Sequence, residues 1–226
     1  MLGNYIRVGS LNARSMFKDS YKTKQREFAS FLRAHSTGID VLCLQEVSHF
    51  RSQTTLTEDQ VRSFSFIFPH CSFVVSKHCA IVCLKPGLYL DSTSTILDER
   101  CVVASVMDSQ HNVLCRVASI YAPAQSSDRP EFFDSFLTSP QWDDLASHPW
   151  FIVGDFNVNV HVPSEVRGDS ISAWYEWLSV NFNNCHPEGV RTRPQSNNTI
   201  DYIFSHTALA PRVRNAKVEY VNSDWT

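Results

Sequence analysis

The sequence predicts a mixed α/β layered domain, and three observations predict it. Strand-like apolar runs outnumber helical stripes. Helices nonetheless fall among the strands. The strand candidates between the first two helices follow one another so closely that they must pair as hairpins and not only through crossovers. At 226 residues, 43% hydrophobic and 12% aromatic, the chain suits one α/β or all-β domain, or at most two small ones. Charged residues are 19%, below the ~25% usual for soluble domains, which together with the apolar content excludes disorder for the bulk of the chain. No apolar run reaches the ~18 residues of a membrane span. The opening apolar stretch is cut by Arg7, Asn12 and Arg14 and lacks the core of a signal peptide.

Taken in order, residues 5–11 alternate as a strand. Residues 22–35 read as a helix, with Phe28, Phe31, Leu32 and His35 on one stripe and Gly38 as the stop. Residues 41–44 are wholly apolar, as in a strand covered on both faces. Residues 48–62 are polar and read as a surface loop. Strand candidates follow at 64–68, 72–75, 79–84, 88–97, 101–107 and 113–121, punctuated by Pro69, Pro86-Gly87, Asp98 and Asp108-Ser109. In the last of these, Val113, Cys115, Val117, Ser119 and Tyr121 share one face, and Leu114, Arg116, Ala118 and Ile120 the other. A helix capped by Ser127 or Asp128 carries Phe132, Phe133, Phe136 and Leu137. A buried strand at 150–153, a helix marked by Ile171, Trp174 and Leu178, and strands at 199–204 and 213–221 complete the chain.

The net charge is −3 and the pI about 6.3. This excludes nucleic-acid binding by bulk electrostatics but leaves room for a nuclease whose positive charge is local or supplied by a metal. The basic clusters are Lys22/Lys24/Arg26, Arg191/Arg193 and Arg212/Arg214/Lys217. The seven Cys are odd in number and form no C-x-x-C pair. Cys43, Cys83 and Cys115 lie in apolar runs and read as buried thiols of a reducing compartment. The nine His show no H-x-x-x-H spacing.

Polar residues recur where apolar strands end, and there the backbone of an α/β sheet is rigid yet open to solvent. Five ends stand out: Leu11-Asn12, Leu44-Gln45-Glu46, Tyr121-Ala122-Pro123, Gly154-Asp155-Phe156-Asn157 and Ile200-Asp201-Tyr202. Each alone has a plain structural reading. A Glu after a strand is a solvated end. Gly-Asp-x-Asn is a tight turn whose Asp and Asn cap their own backbone. Tyr121 is a core aromatic with a satisfied hydroxyl. The spaced set says more than its members.

In these five segments, in this order and over nearly its whole length, the chain resembles the endonuclease/exonuclease/phosphatase superfamily, which includes DNase I and exonuclease III. Leu11-Asn12-Ala13-Arg14-Ser15, the compact length and the Tyr121-Ala122-Pro123 turn look most like the endonuclease domain of non-LTR (LINE-type) retrotransposons. The resemblance implies a DNase I-like four-layer α/β sandwich, two packed mixed β-sheets flanked by helices, spanning residues 1–226. It also implies a Mg²⁺-dependent phosphodiester hydrolase, with Mn²⁺ as a substitute.

Phosphodiester cleavage needs an activated water in line with the leaving oxygen and neutralisation of charge on the phosphate. Glu46 offers a hard oxygen ligand to Mg²⁺, which keeps most of its waters and takes few carboxylates. Asp155 can orient and deprotonate the attacking water. Asn157 lies two residues on, and an extended backbone there turns both side chains the same way. Asn157 and Asn12 then hydrogen-bond phosphate oxygens or the metal's waters, and Tyr121 donates its hydroxyl near the phosphate. By resemblance Asp201 orients a catalytic His, although its place equally suits a pin at a strand end. By resemblance also, Arg191, Thr192 and Arg193 form a phosphate-binding stretch, the alternative being an ordinary solvated loop. Phosphate contacts there would read no base sequence.

The superfamily normally closes with Ser-Asp-His before a last strand. Here the chain reads Asn222-Ser223-Asp224-Trp225-Thr226. Ser223 takes the place of a substrate contact and Asp224 that of a water-orienting residue or second metal ligand. Trp225 stands where the His belongs, and an indole can neither carry the charge nor shuttle a proton. Either the sequence is a fragment that stops short of an Asp-His pair, or Trp225 replaces the His in a crippled enzyme. The lack of an apolar strand after Thr226 favours the first. The expected function is metal-dependent nicking of target DNA, whose freed 3′ hydroxyl primes reverse transcription. DNA is then the partner, a reverse transcriptase is fused in the parent polyprotein, the location is intracellular and nuclear, and neither a membrane nor a small-molecule cofactor is involved. The same residues suit an apurinic-site endonuclease or a phosphatase, which differ in their loops. They also suit a catalytically impaired nucleic-acid-binding relic.

Overall fold

The computed structural model describes residues 5–14, 22–34, 38–47, 58–145, 147–163, 167–187, 190–192, 199–214 and 216–218. The small sheet holds β1 (Val8–Asn12), β2 (Val41–Gln45), β3 (Ser72–Val75) and β4 (Cys79–Cys83) in the order β1-β2-β4-β3. The large sheet holds β5 (Tyr89–Ile96), β6 (Cys101–Met107), β7 (Val113–Tyr121), β8 (Trp150–Asp155), β9 (Phe182–Asn184) and β10 (Asp201–His206) in the order β5-β6-β7-β8-β10-β9. Among the described residues the flanking helices are α1 (Lys22–Ala34), α2 (Glu58–Ile67), α3 (Arg129–Leu137) and α4 (Asp169–Asn181). The pairs β1–β2 and β7–β8 are parallel and the remaining pairs antiparallel. Each parallel pair is joined through a helix, α1 in one and α3 in the other, because a hairpin turn cannot connect parallel strands.

Side-chain alternation sets the layers. Leu42 and Leu44 of β2 pack on Phe28, Ala29 and Leu32 of α1 and on Phe64 of α2. Val41 and Cys43, on the other face, meet Val102, Ala104, Val117 and Val153 of the large sheet. Ala118 and Ile120 of β7 turn outward onto Phe133 and Trp174 of α3 and α4, whose rings lie 4.4 Å apart. The order is therefore helices, small sheet, large sheet, helices, and the core between the sheets is built mostly of aliphatic and cysteine side chains. Burying each of these large side chains contributes roughly 1.5–3 kcal/mol. This is the α/β sandwich of two mixed sheets that the sequence led us to expect.

Three sequence expectations give way here. Residues 64–68 are not a strand, and the polar stretch 48–62 is not all loop, because α2 runs from Glu58 to Ile67. The period-two spacing of Phe64, Phe66 and Phe68 masks a helical one. Phe64, Ile67 and Phe68 are buried on one side while Phe66 is 62% exposed, and the Phe64 and Phe68 rings meet at 5.0 Å, one helical turn apart. Residues 48–57 lie outside the described residues. Of the expected strand at 213–221, residues 213, 214 and 216–218 have no regular structure and none is fully buried, and the rest lies outside the described residues. β9 at the sheet edge is too short to have left a pattern.

All seven cysteines are free, with Cys43, Cys83 and Cys115 buried as expected and Cys79 and Cys101 buried too. Burial, reinforced by the neighbouring Cys115 and Cys71 thiols, pushes Cys83 up to about 12. No helix among the described residues is long and apolar enough to cross a membrane.

Candidate active site

The C-terminal ends of β1, β2, β7 and β8 meet at one edge of the sandwich, where the two sheets face each other. Asn12 closes β1 beside Gln45, so Glu46 follows directly from its neighbour strand. Tyr121 closes β7 as the register partner of Asp155 at the end of β8. Asp155 is in turn the register partner of Asp201 at the start of β10. Residues far apart in sequence thus share one rim.

Asn12 ties the two sheets together here. Its Nδ2 donates to Glu46 Oε1 at 2.9 Å and to Asp155 Oδ2 at 3.0 Å, and its Oδ1 accepts the backbone N–H of Arg14 at 2.9 Å. Both amide hydrogens are thus spent between two carboxylates, which fixes their approach. Glu46 sits at φ 52° and Arg14 at φ 44°, both in the left-handed region that ordinary residues avoid.

Asp155 is fully buried. Its Oδ1 accepts the backbone N–H of Asn157 at 2.9 Å, and Asn157 Nδ2 donates to the Ala122 carbonyl at 2.9 Å. Asn157 has φ 51°, so the backbone is not extended there and the two side chains are not brought together by strand alternation. The turn and the shared rim, read from the sequence as rivals, coexist. Gly154 is required on packing grounds, since a Cβ there would lie 2.0 Å from the Ile120 carbonyl oxygen, at φ 153°.

Tyr121 is held from three sides. Its phenol lies beside the Glu46 carboxylate, which acts on its titration. The Arg100 guanidinium lies 5.6 Å from its ring centre and donates to its carbonyl at 3.3 Å. The His78 ring stacks on it at 5.9 Å. Burial, then the Glu46 and Asp155 charges, pushes the phenol above its ordinary value against the pull of Arg100, so Tyr121 stays a neutral donor. Burial, then Arg100 and Lys77, lowers His78 to about 4. Leu97, Asp98 and Glu99 are three successive residues at positive φ. Such residues normally occur singly. This turn presents the Glu99 side chain to the Lys77 N–H at 2.9 Å and the Arg100 carbonyl to the Tyr121 N–H at 2.9 Å.

Beneath the rim runs a buried polar bridge. Ser10 Oγ donates to Gln45 Oε1 at 3.2 Å, Gln45 Nε2 donates to Ser119 Oγ at 3.2 Å, and Ser119 Oγ donates to the Leu44 carbonyl at 3.3 Å. Gln45 and Ser119 are both fully buried, and their bond joins β2 to β7 across the sheet interface. The sequence reading gave these residues no role. The available signal was a lone amide inside a wholly apolar strand, which must find a partner when buried. Arg100 and His78 lie in turns and carried no signal.

Asp201 is half-buried at the start of β10. Beside it Tyr202 donates to the Thr199 carbonyl at 2.6 Å and accepts the Val160 N–H at 3.2 Å, which pins the loop after Asn157. Thr192 Oγ1 accepts the Ile200 N–H at 3.3 Å, so this threonine braces the segment leading to Asp201. Arg191 is exposed. Arg193, Ser223, Asp224 and Trp225 lie outside the described residues.

Among the described residues no three His, Cys, Asp or Glu side chains gather into a metal cage. The donors that do meet, the Glu46 and Asp155 carboxylates bridged by one amide, are all hard oxygens. That set fits an ion which takes one or two carboxylates and otherwise keeps water.

The fold has clear relatives. An AP endonuclease from Archaeoglobus fulgidus is 18% identical with TM-score 0.64, over 93% of this chain and 90% of that one. A mannosyl-6-phosphatase from Bacteroides thetaiotaomicron is 15% identical with TM-score 0.61, over 90% and 86%. The human Nocturnin catalytic domain, with bound sulfate, is 17% identical with TM-score 0.57, over 89% and 83%. No protein of curated function matches the chain in sequence. The sequence profile of the Endonuclease/Exonuclease/phosphatase family matches residues 9–224, and the chain belongs to that family.

Proposed function

We propose that this chain is a metal-dependent endonuclease that hydrolyses DNA phosphodiester bonds, and that it nicks target DNA for insertion of a retrotransposon. The observation that supports hydrolysis most directly is the joining of Glu46 and Asp155 through Asn12, with Tyr121 beside them. The retrotransposon setting is supported by the resemblance at Leu11-Asn12-Ala13-Arg14-Ser15 and Tyr121-Ala122-Pro123.

In this reading Glu46, together with Asp224, holds Mg²⁺ or Mn²⁺, which when bound would neutralise charge on the phosphate under attack. Asp155 orients the water, its carboxylate fixed by hydrogen bonds from the Asn12 amide and the Asn157 N–H. The water oxygen bonds to phosphorus as the P–O3′ bond breaks, the water's proton passes to Asp155, and the leaving 3′ oxygen takes a proton from solvent. Tyr121, kept neutral, donates to a phosphate oxygen. Asn12 holds the Glu46 and Asp155 carboxylates in place, and Asn157 orients the phosphate. Asp201 braces Asp155 from the neighbouring strand, and Arg191, Thr192, Arg193 and Ser223 contact the DNA backbone.

The test is nicking of supercoiled plasmid with Mg²⁺. Nicks bearing a 3′ hydroxyl that a polymerase extends, abolished by Asp155→Ala, support the proposal. An uncut plasmid, or equal cutting by both proteins, overturns it. Similarity to an AP endonuclease and to a mannosyl-6-phosphatase gives the alternative substrates, so abasic DNA and a small phosphoester belong in the same experiment. Preference for either replaces intact DNA as the substrate. DNA binding without turnover identifies the catalytically impaired relic.

A further inference from the structure

The outer face of the large sheet carries a second polar site, away from the rim. One row of directly opposed residues crosses three strands there: Ser105 on β6 faces Arg116 on β7, and Arg116 faces Trp150 on β8. Arg116 lies five residues back along β7 from Tyr121, roughly 16 Å away. These residues, with Ser94, Gln141 and Asp144, line a cavity of about 220 Å³. β5 bulges here, its register shifting between Asp91 and Ser94 with Ser92 at φ 49°. Such bulges re-aim side chains beside functional sites.

The lining is rich in hydrogen-bond donors. Trp150 is 1% exposed, and its indole N–H has no hydrogen-bond partner, although a buried N–H is nearly always satisfied. Gln141 Oε1 already accepts from Ser139 at 2.9 Å, which leaves the amide hydrogens as its free chemistry. Arg116 spends one nitrogen on Asp144 at 3.0 Å and lays its guanidinium 5.4 Å from the Trp150 ring centre, so other N–H groups remain. Ser94 and Ser105 add two hydroxyls. The one carboxylate, Asp144, is already paired with Arg116 and is half exposed.

We propose that this cavity binds a phosphate-class oxyanion, carried on a small polar alcohol such as a sugar phosphate. The donors would take the phosphate oxygens. Asp144 would accept from a hydroxyl of the ester, and the volume exceeds what bare phosphate needs. This site is independent of the hydrolytic reading of the rim.

The test uses the ¹⁵N-labelled indole signals of the five tryptophans without divalent metal, with the Trp150 signal assigned by Trp150→Phe. Titration with inorganic phosphate, against chloride at equal ionic strength, should shift the Trp150 signal saturably and leave the others in place. Ribose 5-phosphate should produce the same shift at lower concentration. Ser94→Val combined with Ser105→Val, and separately Gln141→Ala on the half-buried turn, should each weaken the shift at least tenfold. The Gln141 variant guards against misfolding of the serine variant. A short single-stranded oligonucleotide saturating below ribose 5-phosphate would identify nucleic-acid backbone as the source of the phosphate, and the reverse order a soluble phosphoester. A Trp150 signal that neither phosphate nor ribose 5-phosphate moves, or a shift that both variants keep, overturns the proposal.

Discussion

Asn12 and Asp155 stand 143 positions apart in the chain and on different sheets, yet the amide of one donates to the carboxylate of the other at 3.0 Å. The same nitrogen reaches Glu46, so Asn12 sets the distance between two negative groups that would otherwise repel. Charge-assisted bonds of this kind are worth about 1.5–3 kcal/mol each. Asn12→Ala should lower nicking by about a hundredfold and reduce stability as well. Asn12→Asp should be worse at neutral pH, because a third carboxylate joins the pair, and should recover stability as the pH is lowered. Plasmid-nicking rates and thermal melts of the two variants check both outcomes.

Gly154 should accept no other residue. An alanine methyl would collide with the Ile120 carbonyl oxygen at 2.0 Å, and neither partner is a flexible side chain. Gly154→Ala should cost about 4 kcal/mol or more, read as a lower midpoint in urea unfolding. A loss below 1 kcal/mol would show that β7 and β8 can move apart freely.

Tyr121 is raised by burial and by Glu46 and Asp155, so its phenol remains protonated through mildly alkaline pH. The rate of nicking should therefore show no alkaline limb from this group up to about pH 10. Tyr121→Phe should lower kcat about ten- to a hundredfold and leave the acid limb where it was. A pH–rate profile of each protein separates these statements.

His78 makes stability depend on pH. Its folded value of about 4 lies below the ordinary 6.5, so between these values the unfolded chain binds the proton more readily. The contribution is complete above pH 6.5 and is lost as the pH falls toward 4. His78→Phe keeps a ring against Tyr121 and removes the titration. Its melting temperature should fall less steeply than the parent's over that window.

Much of this architecture was legible because burial writes itself into alternation. The two faces of β7 and the double coverage of β2 follow directly from residue order. The rim was legible only as a set: Asn12, Glu46, Tyr121 and Asp155 are each unremarkable strand ends, and the order of the motifs joined them. What failed did so for physical reasons. Phe64, Phe66 and Phe68 satisfy period two over five residues and a helix over ten, and the longer window wins. An extended backbone at Asn157 would turn its side chain alongside that of Asp155, but Asp155 accepts its N–H and closes the turn that the same residues also allow. Gln45 and Arg100 act through partners contributed by distant segments, Ser119 and Tyr121, and no local pattern announces such pairs.

The buried thiols give the molecule a built-in clock. Only the thiolate reacts with alkylating reagents, and Cys43, Cys83 and Cys115 are sealed between the sheets with Cys83 held near 12. Reagent uptake at these three sites therefore counts the moments at which the sandwich opens, whereas the half-buried Cys71 and Cys185 record only surface breathing.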